Sequence, residues 1–136
     1  MRNFGVLAIL VFLLVVACEK SDWSHNPNDD LAKGEATIAN WNQQSDSLWR
    51  NIDVIFQVKN TGTYDISEYF VFFDISFANQ STPFTYQVNK DSLDLKPNQT
   101  ISDTVAFAPP STISVPDNRE ATNVVISRTT IVKKLN

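Results

Sequence analysis

A chain of 136 residues, 43% hydrophobic and 11% aromatic, has room for one packed domain and too much apolar content to be disordered throughout. Its three glycines fall in no GxGxxG or GxxxxGK[ST] arrangement, which excludes the glycine-loop nucleotide sites. The net charge of −4 disfavours non-specific binding to nucleic acid or anionic lipid headgroups, because both need a basic surface.

The amino terminus is the most informative stretch. Phe4 to Ala17 is an unbroken apolar run behind a short start carrying Arg2, the pattern of a positive n-region followed by a secretory h-region. It is shorter than the roughly 20 apolar residues a membrane-spanning helix needs. The run ends in Val15-Val16-Ala17-Cys18, and Cys18 is the only cysteine of the chain. Glu19-Lys20-Ser21-Asp22 follows at once, a poor setting for a buried, inert thiol.

Val15–Cys18 resembles the lipobox of bacterial lipoproteins, in which an apolar residue, a tolerant position and a small residue precede the cysteine. Val16 departs mildly, standing where that family more often has Ala or Ser. The resemblance implies that residues 1–17 are a cleaved signal peptide and that Cys18 becomes the acylated first residue of the mature protein. It also implies a place in the cell envelope, with the outer membrane expected: Glu19 does not match the inner-membrane Asp signal of enteric species. Two or more acyl chains anchor stably, at about 0.8 kcal/mol per buried CH₂. One cysteine leaves no internal disulfide, so the domain must stand on its core.

Residues 18–34 are polar and aperiodic, with a turn cluster at Asn26-Pro27-Asn28, and are expected to form a tether. Trp23 is the largest apolar group there, placed either to dock on the domain or to lie among headgroups. From residue 35 the pattern is β. A first strand is expected near Glu35–Trp41. Ile52, Val54, Phe56 and Val58 alternate with Asp53, Ile55, Gln57 and Lys59, a half-buried strand. A turn around Gly62 leads into a long strand with Tyr69, Val71, Phe73, Ile75 and Phe77 on its core side. Further strands are expected over Phe84–Asn89, Ser92–Leu95, Gln99–Phe107 and Thr122–Lys133, with loops at "LKPNQT", "APPST" and "VPDN".

About seven short strands separated by turns predict an all-β fold, an antiparallel sandwich over residues 35–136. The "VKNTG" after one strand and the later "LKPNQTISDTVAF" resemble turns of bacterial immunoglobulin-like and fibronectin-III-like modules. There, Asn98 replaces the usual glycine, and Asn tolerates left-handed backbone angles. One conflict stands out: Asp103 falls on the same face as Ile101, Val105 and Phe107, which a bulge or a position near the sheet end would relieve.

Candidate chemistry is sparse. The single histidine, His25, lies in the tether, which argues against Cys/His zinc sites and Ser-His-Asp machinery on the domain. Only Asp74 and Asp103 are carboxylates deep in expected strands, and nothing in their spacing shows that they meet. "NPNDD" lacks the spacing of a calcium loop. Neither a catalytic residue, a metal site nor a cofactor is therefore expected, and the chain reads as a non-enzyme. The sequons at Asn79 and Asn98 read as chance in a bacterial lipoprotein. Asp46-Ser47-Leu48, Asp91-Ser92-Leu93 and Asp103-Thr104-Val105 resemble a short O-glycosylation motif of exported proteins in some diderm bacteria.

The candidate surface is the second face of the long strand, where Phe70, Phe72 and Asp74 alternate with the core positions. Two aromatics beside polar groups form a strip for an apolar side chain of a partner or for a sugar ring. A tether, a crossing loop or packing around Trp41 and Trp49 would instead cover the two rings. The expected function is an anchored accessory, adhesion or assembly module that binds another envelope protein. The alternative is a carbohydrate-binding module using the aromatic strip.

Overall fold

The computed structural model describes residues 32–44 and 50–134. The chain divides into two units, Met1–Asp30 and Leu31–Asn136, and every described residue belongs to the second. The leader, Cys18, the tether residues 18–31 with Trp23 and His25, and the segment with Asp46-Ser47-Leu48 and Trp49 lie outside the described residues.

Alternating apolar residues build six strands: β1 (Gly34–Gln43), β2 (Ile52–Asn60), β3 (Ile66–Phe77), β4 (Phe84–Lys90), β5 (Thr100–Phe107) and β6 (Ala121–Lys133). They form two antiparallel three-stranded sheets, β1-β2-β5 and β4-β3-β6. The fold is an all-β sandwich. The inward residues of β2 and β3 are 0–2% exposed, as their alternation predicts. Phe56 of β2 meets Tyr69 and Phe73 of β3 edge-on, with centroids 6.1 and 5.2 Å apart, and these pairs join the sheets at the centre of the core.

The expected strand over Ser92–Leu95 does not form. Ser92 takes φ 54, in the left-handed region, which interrupts an extended run. Leu95 makes only an isolated bridge to Ile66, and its buried side chain caps the core from a loop. At the "VPDN" loop a short 3-10 helix, Pro116–Arg119, precedes β6. Asn98 adopts φ 66, the conformation expected where it stands in for glycine.

Asp103 is the second correction. β5 pairs with β2 without interruption and Asp103 sits opposite Phe56, so neither a bulge nor the end of the sheet accommodates it. Instead its carboxylate accepts the Tyr69 hydroxyl at 2.9 Å and the Lys90 ammonium at 3.0 Å. A charge on the core side is tolerated because it is hydrogen-bonded across the sheets.

Strand polarity fixes the two ends. β1 starts and β6 finishes at the same end, where a Cβ built on Gly34 would lie 2.8 Å from Ile131 and the Lys134 N–H donates to Asp65. Asn60, fully buried, ties that end together by donating to Tyr64 and Leu95 carbonyls and accepting from Gly62 N–H. Gly62 has no positive φ, and what requires glycine there is the Lys33 backbone, 2.8 Å from where a Cβ would stand. The β1–β2, β3–β4 and β5–β6 connections gather at the opposite end.

Candidate functional site

β3 lies at the middle of its sheet, so its outward residues occupy the centre of that sheet's outer face. Because Tyr69, Val71, Phe73 and Ile75 point inward, Phe70, Phe72 and Asp74 point outward, each half-buried. Register then assigns their neighbours. Phe70 lies between Asn89 and Thr130, Phe72 between Gln87 and Arg128, and Asp74 between Thr85 and Val125. The three proposed residues thus share one surface, flanked by exposed polar side chains of β4 and by β6.

Two bulges in β6 shape this surface. Its register shifts between Arg128 and Ile126, leaving Ser127 without a partner residue, and again between Asn123 and Ala121. The shift moves Arg128 to the outer face, where its guanidinium carbon lies 3.9 Å from the centre of the Phe72 ring. The same parity leaves Val125 43% and Val132 37% exposed on that face. Thr85 donates to the Asp74 carboxylate at 2.7 Å, which fixes the acid beside the strip. Arg128 is the residue that sequence alone misses, since the 56-residue separation and the bulge conceal its place over Phe72.

Asp74 and Asp103 do not converge. The first faces outward from the middle of one sheet, and the second faces between the sheets from the edge of the other. Burial opposes ionisation of Asp103, yet hydrogen bonds from Lys90, Tyr69 and the Thr104 N–H outweigh it and hold the carboxyl below its ordinary range. Burial, then the Asp103 contact, drives the Tyr69 phenol far above its ordinary value. Burial also pushes Tyr86 up to about 12, and its hydroxyl donates to the Ala108 carbonyl. These groups fasten the open side of the sandwich. Among the described residues there is no cluster of three His, Cys, Asp or Glu that would hold a metal ion.

The loop-rich end carries a second feature, a cleft of about 480 Å³ lined by Trp41, Asn42, Gln43, Gln44, Arg50 and Glu120. Gln43, one of the lining residues, has its amide fully engaged. Its nitrogen donates to the Arg50 and Arg119 carbonyls at 2.8 and 2.7 Å, and its oxygen accepts the Ala121 N–H at 2.8 Å. One side chain thereby joins the end of β1, the start of β2 and the start of β6. Of the O-glycosylation-like stretches, Ser92 is exposed in the β4–β5 loop and Thr104 is exposed on β5. Asn79, one of the two sequon residues, is tied to Asn118 through its side-chain amide at 2.7 Å.

The comparisons with known proteins add no family to this geometry: no protein-family model matches the chain, and no curated protein matches it.

Proposed function

We propose that this chain is a lipid-anchored, non-catalytic protein of the cell envelope, expected at the outer membrane, whose β4-β3-β6 outer face docks another envelope protein. The anchor rests on the lipobox-like Val15–Cys18 behind an apolar leader. The docking face rests on one observation above the others, the Arg128 guanidinium stacked on Phe72 in the middle of the strip, one outward position from the Asp74 carboxylate. Arginine and aromatic side chains are the groups that carry most binding energy at protein interfaces, and a stacked guanidinium keeps its in-plane donors free for a carboxylate. Phe70, Val125 and Val132 supply apolar surface beside it, with Asn89, Gln87 and Thr130 as a polar rim.

The same stack weighs against a sugar on the strip, because the ring face a sugar would cover already bears a cation. Crosslinking and pull-down of the full chain from its native membrane tests the reading. One stoichiometric protein partner is expected, lost when Arg128→Glu replaces the cation with an anion. Capture unchanged in that variant sinks the docking face.

A further inference from the structure

We propose, resting on the docking reading above, that the β4-β3-β6 outer face selects a partner segment bearing an opposite pair of charges. A carboxylate of that segment meets Arg128, a cation meets Asp74, and an apolar side chain lies beside them. Arg128 pairs in register with Phe72, and Asp74 follows Phe72 by one outward place on β3. The strand rise therefore sets their backbone positions ~7 Å apart along the strand direction.

Neither charge answers the other within the domain. Among the described residues Arg128 forms no ion pair, and its guanidinium is engaged only by the Phe72 ring. Thr85 donates to one Asp74 oxygen from β4, the side of β3 away from β6. The other oxygen has no hydrogen-bond partner among the described residues. Stacking restrains the long Arg128 side chain while leaving its N–H donors open, and the Thr85 bond restrains Asp74 while leaving it an acceptor. Both groups are thus oriented before a partner arrives, which lowers the ordering cost of binding.

The chemistry of the occupant follows from what the face would leave unmet. Exposed charges contribute little in water, but charges covered at an interface reject like charge and fix register. Asp74 flanks the cation on one side, and Glu68 lies two outward positions from Phe72 on the other. A polyanion laid along the face would therefore meet like charge at both flanks. A purely acidic segment satisfies Arg128 but covers Asp74 without a donor, and a purely basic one does the reverse. An acid and a base on one segment answer both. Val125, opposite Asp74, and Val132, opposite Glu68, are exposed and supply the apolar contact.

Selection of random phage-displayed dodecapeptides on the full chain in detergent decides the matter. Recovered sequences are expected to carry an acid and a base within about four residues, the span that ~7 Å allows in an extended or helical segment, beside an apolar residue. Selection on Arg128→Glu should lose the acid, and selection on Asp74→Lys should lose the base. For peptides selected on the native chain, the near-isosteric Arg128→Gln and Asp74→Asn should each weaken binding about tenfold. These two decide the matter if a charge reversal unfolds the domain. Thr104→Ala, at an exposed position of the opposite sheet, should leave binding unchanged. The proposal is overturned by no enrichment, by recovered peptides that lack the pair, or by paired peptides whose affinity these substitutions leave intact. Peptides lacking the pair that Val125→Ser still weakens would overturn it while the docking face stands. Peptides indifferent to positions 74, 125 and 128 alike would remove both.

Discussion

Asp103 shows how a single side chain can look misplaced in a sequence and be well placed in the fold. Its period-two position puts a carboxylate among Ile101, Val105 and Phe107, and that placement is correct. What the sequence conceals is the pair of partners, Tyr69 and Lys90, which lie on two strands of the other sheet. A folded carboxyl held below its ordinary value near 3.8 stabilises the protein fully above that value and loses the contribution as pH falls through the lower folded pKa. Asp103→Asn is expected to lower stability at neutral pH by about 1–3 kcal/mol. It should also flatten the loss of stability between about pH 5 and pH 2 in urea titrations. Asp94, held low by hydrogen bonds from Lys134 and then Lys96, will retain the rest of that slope. A variant with the wild-type acid limb would contradict this role.

At the scale of an element, β3 carries both the core and the candidate surface on alternate residues. Phe73 is fully buried against Phe56 and Phe107, whereas its neighbour Phe72 lies outward beneath Arg128. Phe73→Ala should therefore cost about 3–5 kcal/mol in equilibrium unfolding. Phe72→Ala should cost about 1 kcal/mol, since only partial burial and one cation–π contact are lost. Equal losses would mean that Phe72 belongs to the core. The alternation of β2 from Ile52 to Val58 and of β3 from Tyr69 to Phe77 was legible because neither stretch holds an extra residue and their inward side chains are aliphatic or aromatic. β6 was legible only as a strand. The bulge at Ser127 puts Ile126 and Arg128, two residues apart, on opposite faces, and no local signal marks Ser127 as unpaired. The stretch with Leu93 and Leu95 alternates as a strand would, yet the left-handed Ser92 makes it a loop that lends Leu95 to the core. Neither the stack on Phe72 nor the Gln43 clamp was legible, because both join residues more than fifty positions apart.

For the whole molecule, the sandwich has four edge strands, and each is blunted against unwanted pairing. β1 and β6 carry bulges, β5 turns the charge of Asp103 inward, and β4 is seven residues long and ends in Lys90. Edges protected in these ways direct association to the faces and the loop-rich end. The lone cysteine sets the other whole-molecule expectation. Cys18→Ala should leave an unprocessed precursor that takes up no labelled fatty acid, while normal acylation would remove the anchor from the account.

The central claim, that the outer face of β4-β3-β6 is where a protein partner sits, is tested most directly by photo-crosslinking in living cells. A photoreactive amino acid replaces Val125 or Gln87 on that face, and Gln57 or Thr104 on the outer face of the opposite sheet. A discrete protein adduct from positions 125 and 87 alone is the predicted result; adducts from both faces alike, or from neither, would contradict it.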